Sequence, residues 1–198
     1  MRIISGSLKG RVLIPPKSFK ARPTTDFAKE GLFNMLEHNY DFSTLSVLDL
    51  FAGSGGISLE FVSRSCSSVT CVEMNPVHAR FIRDTASAFG IKEKLQVVHH
   101  NVFDFLSLCT ARYDIVFADP PYDLSGLENI PDKVMASGIV KEAGIFILEH
   151  PAAFNFAAHP CFQKEKKYGN VHFSFFAVSK TLSTFALPNN QGPVVQPG

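Results

Sequence analysis

The chain has 198 residues, 45% of them hydrophobic and 19% charged, and a formal net charge of +1; this suits one domain with a sizeable core. Its longest apolar runs, such as "IVFA" and "GIFIL", fall far short of the roughly 20 residues that span a bilayer, and Met1-Arg2-Ile3-Ile4 lacks the apolar core of a signal peptide, so a cytoplasmic location is expected. The cysteines at 66, 71, 109 and 161 have no C-x-x-C spacing and read as reduced thiols, and the pair His99-His100 has no further ligand at metal-binding spacing, so no metal site is expected.

The near-neutral balance hides an asymmetry. Arg2, Lys9, Arg11, Lys17, Lys20 and Arg22 put six positive and no negative charges in the first 22 residues; with +1 overall, the remainder carries −5. This is the footprint of a basic arm on a neutral body, with Arg2, Lys9, Arg11 and Arg22 as candidate contacts to a polyanion, although a solvated face carries the same charges and a short basic segment is by itself a weak sign of polyanion binding. Within this arm, two short β-rich runs flank "GSLKG" and end at Pro15-Pro16, which predicts a hairpin standing apart from the main sheet. Thr or Asp in "ARPTTD" then caps a helix with an apolar side made by Phe27, Leu32, Phe33, Met35 and Leu36.

From Leu45 onward, runs of about five apolar residues alternate with segments of helical length. The runs are "LSVLDL", "SVTCVE", "LQVVHH", "YDIVFAD" and "GIFILEH". Continuous rather than alternating hydrophobicity predicts parallel strands buried on both faces, joined by helices. Asn75-Pro76 opens a helix ending near Gly90, with the side chain as cap and proline in the first turn. Gly169-Asn170 marks a hairpin between the last two strands. Residues 181–198 carry no charge, are rich in Pro, Asn, Gln and Gly, and read as a mostly unstructured tail. The expected division is therefore a basic arm over 1–22, one domain over 23–180, and the tail.

The chemistry sits at the ends of the strands. "VLDLFAGSGG" provides Asp49, Phe51, Gly53 and Gly55 at the first strand-to-helix turn, where glycines let backbone N–H groups approach a ligand. A dinucleotide-binding loop would have glycine at the third position; here it is Ser58, and Asp49 lies four residues before Gly53. A carboxylate there opposes a pyrophosphate and suits a cationic ligand without phosphate, such as S-adenosylmethionine. Glu73, ending the second strand, can accept both hydroxyls of a ribose. Asn101, preferred over Asp104, is placed to meet the adenine amine, and can equally cap the next helix.

"VFADPPYDL" ends the fourth strand. Asp-Pro is a common strand exit, because proline cannot continue the ladder. Placed beside the first strand's exit, however, Asp119 and the Pro120 carbonyl can accept both N–H groups of an exocyclic amine, Pro120 and Pro121 hold them in place, and Tyr122 can stack on the base.

Together, Asp49-x-x-x-Gly53-x-Gly55, Glu73 and Asp119-Pro120-Pro121-Tyr122 resemble the amino-methyltransferase branch of the Rossmann-like S-adenosylmethionine enzymes. More narrowly, "RIISGSLKGRVL", "RPTTDFAKEGLFNML" and "LDLFAGSGGISLE" are similar to the bacterial 16S rRNA guanine-N2 methyltransferase family of RsmD type, over residues 1 to about 180. The resemblance implies an α/β, Rossmann-like seven-stranded methyltransferase sheet, mostly parallel with a C-terminal antiparallel hairpin, and a monomer that uses S-adenosylmethionine. Its implied partner is 16S rRNA in the assembling small ribosomal subunit. Ser5 departs from the family's usual glycine or alanine, and Phe27 and Gly31 stand where arginine and alanine are usual. The competing readings are a DNA or RNA adenine-N6 methyltransferase, a protein-glutamine methyltransferase (which more usually has Asn in place of Asp119), and a non-catalytic nucleic-acid-binding module.

Overall fold

The structure, a computed structural model, describes residues 1–16, 19 and 25–178. Lys17, Lys20, Arg22 and the tail 181–198 lie outside the described residues, as does most of "RPTTD". The five apolar runs form strands β1 (Ser46–Leu50), β2 (Ser68–Glu73), β3 (Leu95–His99), β4 (Tyr113–Ala118) and β5 (Val140–His150). After them come β6 (Phe162–Tyr168) and β7 (Val171–Ala177), turning at Gly169-Asn170.

One seven-stranded sheet results, in the order β3-β2-β1-β4-β5-β7-β6. β1 to β5 run parallel, and β7 inserts antiparallel between β5 and β6. Strand order reverses between β1 and β4, so the loops leaving these two strands open a crevice at the carboxyl edge, where doubly wound sheets hold ligands.

The helices α1 (Asp26–Asn39), α2 (Gly56–Ser63), α3 (Pro76–Ala88), α4 (Val102–Leu108) and α5 (Ile130–Ala136) cover the sheet. Sequence caps set their starts: Thr25 Oγ1 accepts from Ala28 N at 3.2 Å, and Asn75 Oδ1 from Val77 N at 2.9 Å, with Pro76 next. One core joins Leu32, Phe33, Phe61, Phe117, Ile147 and Phe173; a second, on the other side, joins Leu48, Leu50, Val116, Val134, Phe146 and Phe176. The apolar side of α1 differs from the expected one. Ala28, Lys29, Leu32, Phe33 and Leu36 are buried, whereas Phe27 is 68% exposed, because its ring turns to the cleft mouth rather than the core. Among the described residues, no helix is long and apolar enough to cross a membrane.

Among the described residues, the arm over 1–16 is a loop closed by an isolated Arg2–Val12 bridge, outside the main sheet. It is not detached from the body, since Ile3, Leu8 and Leu13 belong to the same core as Phe61 and Leu32. All eight residues of α2 are buried, an all-round burial that requires cover on the face away from the sheet, and the arm supplies it. The docking is polar as well as apolar. Ser7 N donates to Ser63 O at 2.8 Å and Leu8 N to Ser63 Oγ at 2.9 Å. Glu60, wholly buried, accepts from Ile4 N (2.8 Å) and Ser5 N (3.0 Å). The same carboxylate pairs with the buried Lys29 Nζ at 3.3 Å and with Arg64 Nε at 2.9 Å.

Candidate active site

A cleft of about 710 Å³ opens at the carboxyl edge of the sheet. The β1–α2 loop forms its floor. Phe51 (φ 60°), Gly53 (φ 57°) and Gly55 (φ 76°) are left-handed, an arrangement that crumples the loop and turns backbone groups inward. Gly53 lines the cleft, and a Cβ there would come within 3.3 Å of the Phe19 ring. Gly55 is the N-cap of α2 and is not among the residues lining the cleft, and a Cβ there would press on Ile82 of α3 at 3.0 Å. Phe51 keeps its side chain in the cleft, edge-on to Phe103 at 6.2 Å.

Asp49 lies beneath this loop. Its Oδ2 accepts from Ser58 N at 3.1 Å and from Ser58 Oγ, so it ties β1 to the first turn of α2. Burial pushes its carboxyl up to about 7, against the lowering effect of these hydrogen bonds. Glu73 bridges two loops: Oε2 accepts from Gly53 N and Oε1 from Asn75 N, each at 2.7 Å. A carboxylate has about four acceptor sites, so this bracing is compatible with accepting hydroxyls from a ribose. Asn101 is the cap of α4, its Oδ1 accepting from Phe103 N at 2.8 Å, while its amide nitrogen lies 3.6 Å from Met74 Sδ; the residue still lines the cleft.

The wall opposite the β1 loop is Asp119-Pro120-Pro121-Tyr122, all four lining the cleft. Leu124 N donates to Pro121 O at 2.9 Å and closes the turn. Tyr122 is 50% exposed, with its hydroxyl 3.5 Å from Glu149 Oε1. Glu149 is a residue the sequence reading missed. It lies near the end of β5, only 2% exposed, and lines the same cleft. Its signal was the strand-end carboxylate pattern already seen at Asp49 and Glu73, repeated in "GIFILEH". The far rim is aromatic, with Phe27 edge-on to Tyr168 at 6.0 Å. Gly31 makes room for that tyrosine, since a Cβ there would lie 2.1 Å from the ring.

The basic residues of the arm do not gather at one spot. Arg2 Nε pairs with Asp26 Oδ2 at 2.9 Å at the start of α1, whereas Arg11 lies 5.0 Å from the centroid of Phe89 at the end of α3, and Lys9 is exposed in the turn between them in sequence. Arg22 lies outside the described residues.

A 3-2-1-4-5-7-6 sheet with two strand-end carboxylates and a glycine turn fronted by aspartate, rather than by a phosphate cradle, defines a Rossmann-like S-adenosylmethionine-dependent methyltransferase. The cleft suits that cofactor in size and in donor set: a volume in the ordinary ligand range, carboxylates for a cationic amino acid portion and for hydroxyls, and apolar walls. The pattern of the family described as Conserved hypothetical protein 95 matches residues 1–177. The Escherichia coli (strain K12) protein named Ribosomal RNA small subunit methyltransferase D is 31% identical over 180 residues, covering 89% of each chain. A hypothetical protein of Thermus thermophilus superposes with a TM-score of 0.79 at 29% identity, over 90% of this chain and 99% of its own. A 16S rRNA N2 methyltransferase of the same organism, solved with AdoMet and guanosine, shares the fold at 21% identity and a TM-score of 0.63, over 80% of this chain and 44% of its own. The chain belongs to the Conserved hypothetical protein 95 family, the RsmD-type rRNA methyltransferases.

Proposed function

We propose that this protein transfers the methyl group of S-adenosylmethionine to the exocyclic N2 amine of a guanine in small-subunit rRNA, acting as a monomer in the cytoplasm on the assembling subunit. The observation that carries this reading is the meeting of Asp119-Pro120-Pro121-Tyr122 with Asp49, Gly53 and Glu73 around one cleft. The relative's own name, a small-subunit rRNA methyltransferase, supports the substrate class.

The cofactor supplies, when bound, an electrophilic sulfonium methyl. Asp49 would face its cationic amino acid portion, Glu73 would accept from its ribose hydroxyls, and Asn101 and Phe51 would flank the adenine. The guanine amine is a poor nucleophile, because its lone pair is delocalised into the ring. Hydrogen bonds from its two N–H groups to the Asp119 carboxylate and the Pro120 carbonyl favour a tetrahedral nitrogen and aim the lone pair across the cleft. As the nitrogen becomes cationic, Asp119 stabilises the charge and can take the departing proton. The turn that holds these acceptors is set before substrate arrives, so little reorganisation is needed. Tyr122, half exposed at the cleft mouth, offers a face for stacking. Lys9, Arg11 and Arg22 contact the RNA backbone, and a folded ribonucleoprotein presents the splayed-out base by shape.

The test is transfer of tritiated methyl to small-subunit rRNA, followed by nucleoside digestion. N2-methylguanosine is expected, with partly assembled 30S particles better substrates than naked rRNA. Asp119→Ala should abolish most of the labelling and leave cofactor affinity unchanged. Labelled N6-methyladenosine, or labelled duplex DNA, would sink the reading.

A further inference from the structure

We propose that Glu149 selects guanine over adenine by accepting the N1–H of the target base; this rests on the guanine-N2 reading above. The tetrapeptide cannot make that choice, since Asp119 and Pro120 accept from any exocyclic amine. The two bases differ at the ring atom next to that amine. Guanine has a donor there, N1–H, whereas adenine has an unprotonated N1, an acceptor.

A second carboxylate is built into the sheet beside Asp119. Asp49, Phe117 and Ile147 form one row across β1, β4 and β5. The β4–β5 pairing ends at Ala118–Leu148, so the next residue of each chain segment is Asp119, just past the end of β4, and Glu149 of β5, and a following proline favours extended backbone at Asp119. Neighbouring strands are roughly 4.8 Å apart, so two acidic side chains stand side by side over the row that contains Asp49. Adjacent donors on one ring edge, N2–H and N1–H, meet adjacent acceptors. The Tyr122 hydroxyl, 3.5 Å from Glu149 Oε1, holds the second carboxylate toward the residue on which the base would stack. Adenine in the same pose would set the N1 lone pair against a carboxylate, which rejects it by repulsion as well as by a missing hydrogen bond.

The test compares guanine with 2-aminopurine at the target position, in small-subunit RNA ligated from a synthetic piece and assembled into particles. 2-Aminopurine keeps the 2-amine but has an unprotonated N1. Wild-type protein should prefer guanine by about 10- to 100-fold in kcat/KM, the range set by one hydrogen bond to a charged group. In Glu149→Gln, guanine should fall by about the same factor while 2-aminopurine holds or gains, because the carboxamide can donate to N1. S-adenosylmethionine affinity, read by calorimetry, should not change. Equal loss on both bases, or an unchanged guanine rate, overturns the assignment. If the variant does not fold, the wild-type ratio decides alone, and a preference under about threefold overturns it. N6-methyladenosine from the wild type would instead end the functional reading; N2-methylguanosine formed without this base preference ends only the role of Glu149.

Discussion

Glu60→Gln should destabilise the protein far more than the loss of one charge on a surface would. Each oxygen of the Glu60 carboxylate accepts from two donors. Oε2 faces Ile4 N at 2.8 Å and Lys29 Nζ at 3.3 Å; Oε1 faces Ser5 N at 3.0 Å and Arg64 Nε at 2.9 Å. Whichever way the glutamine amide turns, its NH₂ must confront two donors, and Lys29, 1% exposed, loses its carboxylate. Burial already pulls the Lys29 ammonium below its ordinary pKa, with Glu60 opposing that shift. Breaking a buried pair by changing one partner costs about 3–5 kcal/mol, a large part of the roughly 5–15 kcal/mol that holds a domain folded. For a chain of this size that is a fall in Tm of about 6–20 °C. Urea unfolding of wild type and variant, with the slope compared, measures it directly. Lys29→Met in the Glu60→Gln background should recover part of the loss by removing the unpaired cation. A cost below about 1 kcal/mol would refute the claim that this carboxylate anchors the arm.

The Asp49 carboxyl, pushed up to about 7 by burial, binds a proton more tightly in the folded chain than in the unfolded one. Its contribution to stability is therefore full below the unfolded value near 4 and is lost as pH rises through about 7; relative to Asp49→Asn, urea unfolding should show wild type losing stability between about pH 4 and 7. S-Adenosylmethionine affinity should rise as pH passes through about 7, as the ionised carboxylate meets the cationic ligand, and a flat calorimetric profile would remove Asp49 from that role. Replacing Lys9 and Arg11 together by alanine should lower the slope of log affinity for RNA against log salt by about 1.5, through fewer released counterions. An identical slope would make them a solvated face.

Much of the scaffold was legible because each strand of the parallel sheet is a compact apolar run with a cleft-lining residue at or near its exit. Asp49, Glu73 and Asp119 could be found by position alone. What needed three dimensions was pairing across long separations. Nothing in the sequence pairs Lys29 with Glu60, and Glu149 stands out only once the β4–β5 register, which ends at Ala118–Leu148, brings the exits of the two strands to one cleft. Phe27 follows the helical apolar pattern and yet faces the cleft mouth, since burial of its neighbours Ala28 and Lys29 fixes which side of α1 turns inward. The distinction between Gly53 and Gly55 was equally hidden, because both satisfy the same turn and only packing against Ile82 separates them.

Gly31 and Tyr168 constrain each other. The tyrosine ring occupies the volume that a methyl group on residue 31 would take, and it is hemmed in by Phe27 on one side and Phe173, 5.9 Å away, on the other. An alanine at 31 would favour the helix by about 1 kcal/mol, yet it and this tyrosine cannot share the space. Putting alanine at 31 therefore requires the residue at 168 to shrink or turn first, and in the reverse direction glycine at 31 must precede the tyrosine. The shape of the cleft mouth is thus set by the two positions as a pair, and neither can be exchanged without regard to the other.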